Sequence, residues 1–193
     1  MKLLLVSFSL RENGNCNRSL YYINEFLSRS DHTVESIRLT DHPIEGCGLC
    51  AYECFAQGSC IKHDPVSDLY DKCMSADKII FALPVYRGHP ASTYFQFTER
   101  GEGFFRLDTE RYESYRKKVN LIVIGNITAG GETALHEAMS DFSDDEYSPQ
   151  SLLLSSIEYG RRSINGDLIE DSRVQEKLEN FTKSILNQDD FSC

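Results

Sequence analysis

The sequence lacks the features that identify membrane-spanning and nucleic-acid-binding chains. No stretch approaches the roughly 20 consecutive apolar residues that a membrane helix needs. Basic residues are outnumbered, 20 Lys and Arg against 30 Asp and Glu, and the net charge of −10 disfavours a nucleic-acid partner, because phosphate neutralisation needs a basic face. Only 5 of the 193 residues are proline. We therefore expect a soluble globular chain with one domain over residues 1–193.

A secretory leader is not expected at the amino terminus. The apolar run over residues 1–6 is short, no small-residue cleavage site follows it, and polar residues such as Arg11 and Asn13 come soon afterwards. This pattern predicts a buried first strand instead. The cysteines number 7, and an odd count fits poorly with the disulfide framework of a secreted protein. We expect a cytoplasmic protein.

Strand-like apolar runs alternate with helical patterns along the chain. The first helix is predicted from apolar residues at helical spacing between Leu20 and Leu27. Residues 43–62 have no clear periodicity and are predicted to be irregular, and the third strand is expected to stop at Pro84. The alternation predicts an α/β fold with a parallel sheet and helices on both faces. The predicted strands are 2–8, 33–39, 78–83, 119–125 and 151–157, and the further helices are 66–75, 90–100, 132–142 and 174–186.

The loop after the first strand has the composition of an anion-binding site. It leads into the first helix, and main-chain amides at a helix N-terminus attract phosphate. Ser9 and Asn15 can donate hydrogen bonds, Arg11 adds positive charge, and Gly14 lets the backbone bend towards a ligand. The motif is neither a dinucleotide G-x-G-x-x-G nor a P-loop, which indicates a mononucleotide phosphate. The alternative is a polar loop with Asn17 as the helix N-cap.

Two further loops follow the third and fourth strands. Ligands of open α/β sheets bind outside the carboxyl ends of the strands, so these loops belong to the same edge as the first. Residues 84–90 can run along a planar heterocycle with Tyr86 as an aromatic surface; the alternative is a strand end with a packed tyrosine. Residues 126–131 are predicted to form a loop with adjacent glycines, which permit close approach of the backbone to a ligand. Asn126 and Thr128 offer polar contacts to that ligand, and the alternative is a flexible turn without a ligand. Together the three loops predict one ligand site.

Four segments resemble, in chain order, the NADPH-dependent FMN reductases of flavodoxin-like fold, which include the iron–sulfur flavoproteins and related quinone reductases. The first is S-L-R-E-N-G-N-C (9–16), which is similar to the S-x-R-x-x-G-N-[ST] phosphate loop of that family. The others are I-E-G-C-G-L-C (44–50), A-D-K-I-I-F-A-L-P-V-Y (76–86) and G-G-E-T (130–133). The resemblance implies a flavodoxin-like three-layer α/β/α sandwich with a five-stranded parallel sheet of order 2-1-3-4-5.

The resemblance also implies which residues bind FMN. The first loop is expected to hold the phosphate, and the other two loops are expected to border the isoalloxazine ring. This chain has a cysteine where the family usually has Ser or Thr, and a thiol is a poor substitute for a hydroxyl donor. The implied phosphate residues are Ser9, Arg11, Asn15, Cys16 and Asn17. The implied ring residues are Pro84, Val85, Tyr86, Arg87, Gly88, Asn126, Thr128, Gly130 and Gly131.

The activity implied by the resemblance is electron transfer from NAD(P)H, through bound FMN, to a small acceptor such as a quinone or a flavin. A homodimer or homotetramer is implied as well. No side chain is assigned as catalytic, because the flavin itself performs the hydride step. Arg87 and His89 are placed to steer an anionic nicotinamide nucleotide or substrate, and a plain surface role is the alternative.

A compact cysteine group, Cys47-x2-Cys50-x3-Cys54-x5-Cys60, follows the second strand. Four thiolates at short spacing can ligate a [4Fe–4S] cluster, and the iron–sulfur flavoproteins place such a group in this region. Those proteins commonly have two residues between the second and third cysteine; the extra residue here rotates the third thiol away from its usual position. Zinc and metal-free thiols are the alternatives. An electron carrier with FMN and a cluster, and a binding module without flavin, therefore stand beside the enzyme hypothesis.

Two other groups of residues are assigned structural roles. An acidic patch late in the chain is predicted to be a solvated loop; its members are Asp141, Asp144, Asp145 and Glu146. An aromatic group is predicted to lie in the core or in a subunit interface; its members are Phe95, Phe97, Phe104 and Phe105.

Overall fold

The computed structural model describes residues 1–48 and 50–187, and within these a sheet is flanked by helices. The strands are β1 (Lys2–Ser7), β2 (Thr33–Arg38), β3 (Lys78–Tyr86), β4 (His89–Pro90), β5 (Val119–Gly125) and β6 (Ser151–Ser155). The helices are α1 (Asn15–Leu27), α2 (Glu53–Gln57), α3 (Val66–Ser75), α4 (Ser92–Thr98), α5 (Glu102–Phe105), α6 (Thr109–Arg116), α7 (Thr128–Ser140) and α8 (Ser172–Leu186). Short 3-10 helices cover Glu99–Gly101, Ser156–Tyr159, Ser163–Asn165 and Leu168–Glu170.

The five long strands are parallel and run in the order β2-β1-β3-β5-β6. This is the order 2-1-3-4-5 once the two-residue strand β4 is set aside, so the predicted flavodoxin-like fold is confirmed. Strand β4 was not predicted; it pairs with β3 in antiparallel fashion and brings the sheet to six strands. The carboxyl ends of β1, β3 and β5 are neighbours, which brings the three predicted ligand loops to one edge.

Two apolar layers cover the two faces of the sheet, and the period of two along each strand explains the division. In β1, Leu4 and Val6 pack with the layer that contains α3, α4 and α7. Leu3 and Leu5 pack instead with the layer that contains α1 and α8. Because both faces are covered, the central strands are mostly apolar, as the sequence suggested. The opening apolar run is accordingly the buried strand that was predicted.

Strand β3 continues beyond Pro84, where the sequence predicted its end. The Ala82 carbonyl accepts a hydrogen bond from the Phe8 N–H at 3.0 Å, so the main-chain groups of Ala82 point towards β1. The main-chain nitrogen of Pro84, two residues later, points the same way, but β1 has ended at Ser7. A proline there costs no ladder hydrogen bond, since the partner strand no longer needs its N–H.

Four other segments differ from the sequence-based prediction. Helix α7 begins at Thr128 rather than at residue 132, so the glycine pair lies in its first turn. A Cβ at Gly131 would lie 2.6 Å from a Leu153 methyl carbon, and this close helix–sheet packing overrides the low helix propensity of glycine. Residues 43–62 contain the short helix α2, and residues 99–116 and 156–170 contain helical turns that the sequence did not reveal. No helix among the described residues is long and apolar enough to cross a membrane.

Candidate functional site

The loop after β1 is folded by its own hydrogen bonds. The Arg11 main-chain N–H donates to Ser9 Oγ at 3.2 Å, and the Gly14 N–H donates to the Arg11 carbonyl at 3.1 Å. Gly14 is the N-cap of α1, so the alternative prediction that Asn17 caps this helix is wrong. Asn17 lies inside the first turn, and its Nδ2 donates to the carbonyls of Arg11 and Glu12 at 2.8 and 2.9 Å.

The N-terminus of α1 is open to an anion. No side chain of the described residues caps it, so the first-turn amides keep their hydrogen-bonding capacity and the positive end of the helix dipole. The Arg11 side chain is exposed and forms no ion pair within the described part of the chain. Its charge is close enough to affect the Cys16 thiol in the first turn. The loop thus offers main-chain amides together with a guanidinium that no carboxylate of the described residues neutralises.

Cys16 does not present its thiol as an exposed donor. It is 2% exposed and packs with Leu20 and Ile23 in the layer beneath α1. Burial raises the pKa of this thiol to about 12, so it stays protonated at neutral pH. A contribution of this residue to anion binding therefore comes from its main-chain amide.

Asn15 joins this loop to the segment that follows β6. Its Nδ2 donates to the Ser163 carbonyl at 3.3 Å, and its Oδ1 accepts from the Leu168 N–H at 3.0 Å. Gly166 lies between these positions with φ +68, and a Cβ there would be 2.2 Å from the Asn13 carbonyl oxygen. The side chain predicted to bind phosphate is thus also a structural link, which the sequence did not indicate.

The loop after β3 is a tight hairpin. Arg87 and Gly88 have φ of +54 and +87, and Tyr86 pairs with His89 across them. Positive φ at both central residues defines the two-residue type I′ turn that joins antiparallel strands. His89 Nδ1 lies 3.0 Å from Glu137 Oε2 on α7, whereas the Tyr86 ring is 43% exposed. The turn thus fixes an exposed aromatic ring at the sheet edge.

The start of α7 packs against this hairpin. A Cβ at Gly88 would lie 3.9 Å from the Gly130 Cα, so the two glycines permit close contact of the two backbones. Thr128 Oγ1 donates to Glu158 Oε1 at 2.6 Å, and the Asn126 carbonyl accepts from the Ile157 N–H at 3.1 Å. The third loop is therefore held by the segment after β6 as well.

A cleft of about 120 Å³ lies where these segments meet. Eight predicted site residues line it: Ser9, Arg11, Asn15, Cys16, Pro84, Val85, Tyr86 and Asn126. The other predicted residues of this site lie outside its lining: Asn17, Arg87, Gly88, Thr128, Gly130 and Gly131. The lining also contains Gly14, which was predicted to bend the backbone towards a ligand, and three residues that were not predicted: Ile124, Ser163 and Ile164. The last two follow β6, and the rule that ligands bind beyond strand carboxyl ends would have drawn attention to that loop.

The four loop cysteines line a second cavity, of about 640 Å³. Burial and the neighbouring thiols of Cys50, Cys47 and Cys60 raise the pKa of Cys54. All four are free thiols. Within residues 1–48 and 50–187, however, no group of three or more His, Cys, Asp or Glu side chains is arranged to hold a metal ion. Cys193 lies outside the described residues.

A buried arginine anchors the cysteine segment. Arg100 Nε donates to Cys60 Sγ at 3.2 Å, and Nη1 donates to the Glu45 carbonyl at 2.9 Å. The same guanidinium binds both carboxylate oxygens of Asp64, at 2.7 and 3.0 Å, with the Arg100 side chain only 1% exposed. Residue patterns do not reveal this link, because its members are far apart along the chain.

A family model described as NADPH-dependent FMN reductase matches residues 1–145. The chain belongs to this family. An iron–sulfur flavoprotein of Methanosarcina thermophila is a relative of this FMN reductase family member, 28% identical over 89 residues, which are 46% of each protein. The chain thus spans less than half the length of this curated relative.

Solved structures share the fold of this family member. A flavone reductase superposes with a TM-score of 0.64 at 18% identity, covering 97% of this chain and 62% of that one. RosB, in complex with 8-demethyl-8-formylriboflavin-5'-phosphate, also has a TM-score of 0.64, at 17% identity, covering 100% of this chain and 82% of that one. At these identities the similarity concerns the fold alone.

Proposed function

We propose that the chain is an FMN-dependent NAD(P)H oxidoreductase that passes electrons to a small acceptor, such as a quinone or a flavin. The observation that carries this proposal is the N-terminus of α1 at the meeting point of three sheet-edge loops. Among residues 1–48 and 50–187, no side chain caps it and Arg11 beside it has no ion-pair partner. Bound FMN would supply the redox chemistry, which amino-acid side chains lack. The protein would contribute binding, orientation and the shape of the open face.

The residues present fit the phosphate end of FMN. A Cβ at Gly14 would lie 3.0 Å from the Arg11 Cβ and 3.1 Å from Ser9 Oγ, so only glycine leaves this turn undisturbed. The cleft, about 120 Å³, is smaller than the roughly 300 Å³ at which enclosed ligand pockets begin. It can therefore enclose the phosphate end, while a planar ring would lie at the surface beside the exposed Tyr86.

An open ring site suits the second half of the reaction. Tyr86 and the Arg87–Gly88 turn stand at the rim, and Arg87 carries a positive charge suited to an anionic nicotinamide nucleotide. Asn126, which directly follows β5, also lines the cleft. We assign no side chain a proton-transfer role. In this proposal the described residues bind FMN and orient it towards the nicotinamide nucleotide.

The proposal is tested by flavin titration of the purified full chain, followed by anaerobic addition of NADPH. We expect FMN to bind and its visible absorption to bleach. Arg11→Ala should weaken FMN binding about 10- to 100-fold, because a charge-assisted hydrogen bond contributes roughly 1.5–3 kcal/mol. Arg29→Ala, an exposed arginine beyond the end of α1, is the matched control and should bind normally. Normal affinity in Arg11→Ala would remove the phosphate assignment.

A second candidate function is an iron–sulfur flavoprotein electron carrier. The convergence of four thiols on one cavity, with Arg100 donating to Cys60 Sγ, favours it. A cluster there would be held by Cys47, Cys50, Cys54 and Cys60. Iron and sulfide analysis of anaerobically purified protein tests it: Cys50→Ser should lose iron, and the buried Cys73→Ser should keep it. A colourless, iron-free wild-type protein would end this candidate.

The remaining expectations stay predictions. They are a single domain, a homodimer or homotetramer, a cytoplasmic location, and the absence of nucleic-acid and membrane partners. They follow from composition and from the family resemblance.

A further inference from the structure

Arginines without a carboxylate partner are concentrated around the candidate flavin cleft. Most arginines of the chain form ion pairs with Asp or Glu side chains. Within residues 1–48 and 50–187, the arginines that form none are Arg11, Arg29, Arg87 and Arg162. All of these except Arg29 lie on loops that meet at the cleft. A chain of net charge −10 thus keeps unneutralised positive charge at this one place.

Arg87 and Arg162 adjoin the cleft without lining it. Tyr86, directly before Arg87, and Ser163, directly after Arg162, are both part of the lining. The two arginine side chains themselves are exposed and lie outside the lining. They therefore belong to the outer edge of the site, beyond the space assigned to the FMN phosphate, and we call them the rim arginines.

The backbone at Arg87 is unfavourable for its own side chain. Its φ of +54 lies in the left-handed region, where a type I′ turn prefers Asn, Asp or Gly. An arginine in this conformation costs free energy, and such costs are concentrated at functional sites. In the described part of the chain, no hydrogen bond or ion pair of the Arg87 side chain offsets the cost. Contact with a ligand would explain why an arginine is kept there.

The main chain beside Arg162 is anchored to the loop after β1. The Ser163 carbonyl accepts a hydrogen bond from Asn15 Nδ2 at 3.3 Å, and Ser163 Oγ lies 3.0 Å from Ser156 Oγ. These contacts hold the base of the Arg162 side chain beside the cleft. Arg162 lies beyond residue 145, where the match to the family model ends, so membership of the family assigns it no role.

Carboxylates of the neighbouring segments are engaged with other groups. Glu158 accepts a hydrogen bond from Thr128 Oγ1 at 2.6 Å, and Glu137 Oε2 lies 3.0 Å from His89 Nδ1. Among the residues that the structure describes, no carboxylate forms an ion pair with a rim arginine. The positive charges at the rim are therefore available to an anionic ligand.

Given the proposed oxidoreductase function, on which this inference rests, we propose that the rim arginines form a second phosphate subsite. It holds a phosphate group of the nicotinamide nucleotide, while the first subsite, at Arg11, holds FMN. A guanidinium offers phosphate two parallel hydrogen bonds in addition to its charge.

The nucleotide carries phosphate in two places. The diphosphate is common to NADH and NADPH, whereas the 2′-phosphate belongs to NADPH alone. A phosphate monoester carries about −1.5 to −2 charges at neutral pH, which two arginines neutralise. We therefore expect binding of NADPH to depend on the rim arginines more than binding of NADH.

The first test measures KM and kcat for NADPH and NADH with FMN-loaded protein at low ionic strength. Arg87→Asn and Arg162→Ala should each raise the KM for NADPH about tenfold and leave kcat within about twofold. An unchanged KM for NADH assigns the subsite to the 2′-phosphate, and an equal rise assigns it to the diphosphate. Arg29→Ala, an exposed and unpaired arginine outside the cleft, is the matched control. Unchanged KM values in both rim variants, or the same rise in Arg29→Ala, would overturn the proposal.

Arg87→Asn also separates binding from folding. The substitution gives the turn the asparagine–glycine pair that type I′ geometry prefers. We expect its thermal midpoint to be equal to that of the wild type or higher, although it binds NADPH more weakly. A lower midpoint would show a structural role for Arg87 and count against its place in the subsite.

A direct binding measurement separates this inference from the proposed function. Calorimetric titration of the full chain with excess FMN uses 2′,5′-ADP and 5′-ADP, which carry the two kinds of phosphate but no nicotinamide. We expect saturable binding of at least one of them, weakened about tenfold in Arg162→Ala and normal in Arg29→Ala. Absence of binding would overturn the subsite even if NADPH bleaches the flavin. Binding without bleaching would support the subsite and contradict the oxidoreductase function.

Discussion

Asn15, the first residue of α1, accepts a hydrogen bond at 3.0 Å from the main-chain N–H of Leu168, which lies 153 residues further along the chain. The same side chain donates to the Ser163 carbonyl at 3.3 Å. The candidate phosphate loop and the segment after β6 are therefore one structural unit. A change at Asn15 acts on both stability and the cleft.

We expect Asn15→Ala to lower the free energy of unfolding by about 1–3 kcal/mol, because the buried Leu168 N–H loses its acceptor. Urea unfolding followed by circular dichroism measures this. Asn24→Ala, in the same helix, should be neutral or slightly stabilising, since alanine is the better helix former. An unchanged unfolding midpoint in Asn15→Ala would contradict the proposed link.

Two glycines of the segment after β6 provide a matched pair for testing its contact with the loop after β1. Gly160 and Gly166 have φ of +66 and +68, so alanine pays a similar conformational cost at each. At Gly160 no atom lies within 4 Å of a new Cβ, whereas at Gly166 the Asn13 carbonyl oxygen would be 2.2 Å away. We expect Gly166→Ala to be the more destabilising variant, by at least about 1 kcal/mol. Equal thermal midpoints for Gly160→Ala and Gly166→Ala would show that the backbone at Gly166 is not in close contact with the loop after β1.

The ion pair between Arg100 and Asp64 should make stability depend on acid pH. Burial opposes ionisation of Asp64, but hydrogen bonds from Arg100 and from the Glu45 and Val66 main-chain amides lower its pKa below the ordinary value of 3.8. The resulting stability is fully present above about pH 4, the range of an unfolded aspartate, and is lost as pH falls through the lower folded pKa.

Asp64→Asn removes this titration. We expect its stability at pH 7 to fall by about 3 kcal/mol, because Arg100 is left as a buried unpaired charge. Between pH 4 and pH 2 its stability should decline less steeply than that of the wild type, by up to about 1.4 kcal/mol per pH unit for one proton. Urea unfolding at each pH measures both effects. If the stabilities of the two proteins fell equally steeply between pH 4 and pH 2, the assignment of this titration to Asp64 would be contradicted.

The cysteines should differ sharply in reactivity. Burial raises the pKa of Cys16 and of Cys73 to about 12 each, so at pH 8 only about one thiol in ten thousand is ionised at either position. Cys47 is exposed in the loop. We expect iodoacetamide to modify Cys47 first, as followed by mass-spectrometric peptide mapping, and all thiols to react in guanidinium. Equal rates for Cys16 and Cys47 in the native protein would refute this.

The sequence predicted most of the fold because the central strands are apolar on both faces. Leu3 to Val6 and Ile79 to Leu83 can form only buried strands of a covered sheet, and the helices between them follow from spacing. The boundaries near Pro84 and Thr128 were wrong. Tertiary contacts, not local propensity, decide how far β3 continues past Pro84 and where α7 begins.

The candidate site was predictable only where a local motif carries it. The loop from Ser9 to Asn17 lies within one short segment, and its glycine and polar residues are visible together. The contacts of Asn15 with Ser163 and of Arg100 with Cys60 join residues far apart along the chain. Such pairs follow from the path of the backbone, which a residue pattern does not specify.

The part of the cleft contributed by Ser163 and Ile164 lies beyond residue 145, where the family model stops. The cleft is therefore built jointly by the loop that the family model covers and by a segment that lies outside the matched residues. Because Asn15 joins the two, an exchange of the outer segment for another sequence would have to keep the Ser163 carbonyl and the Leu168 N–H within reach of this side chain.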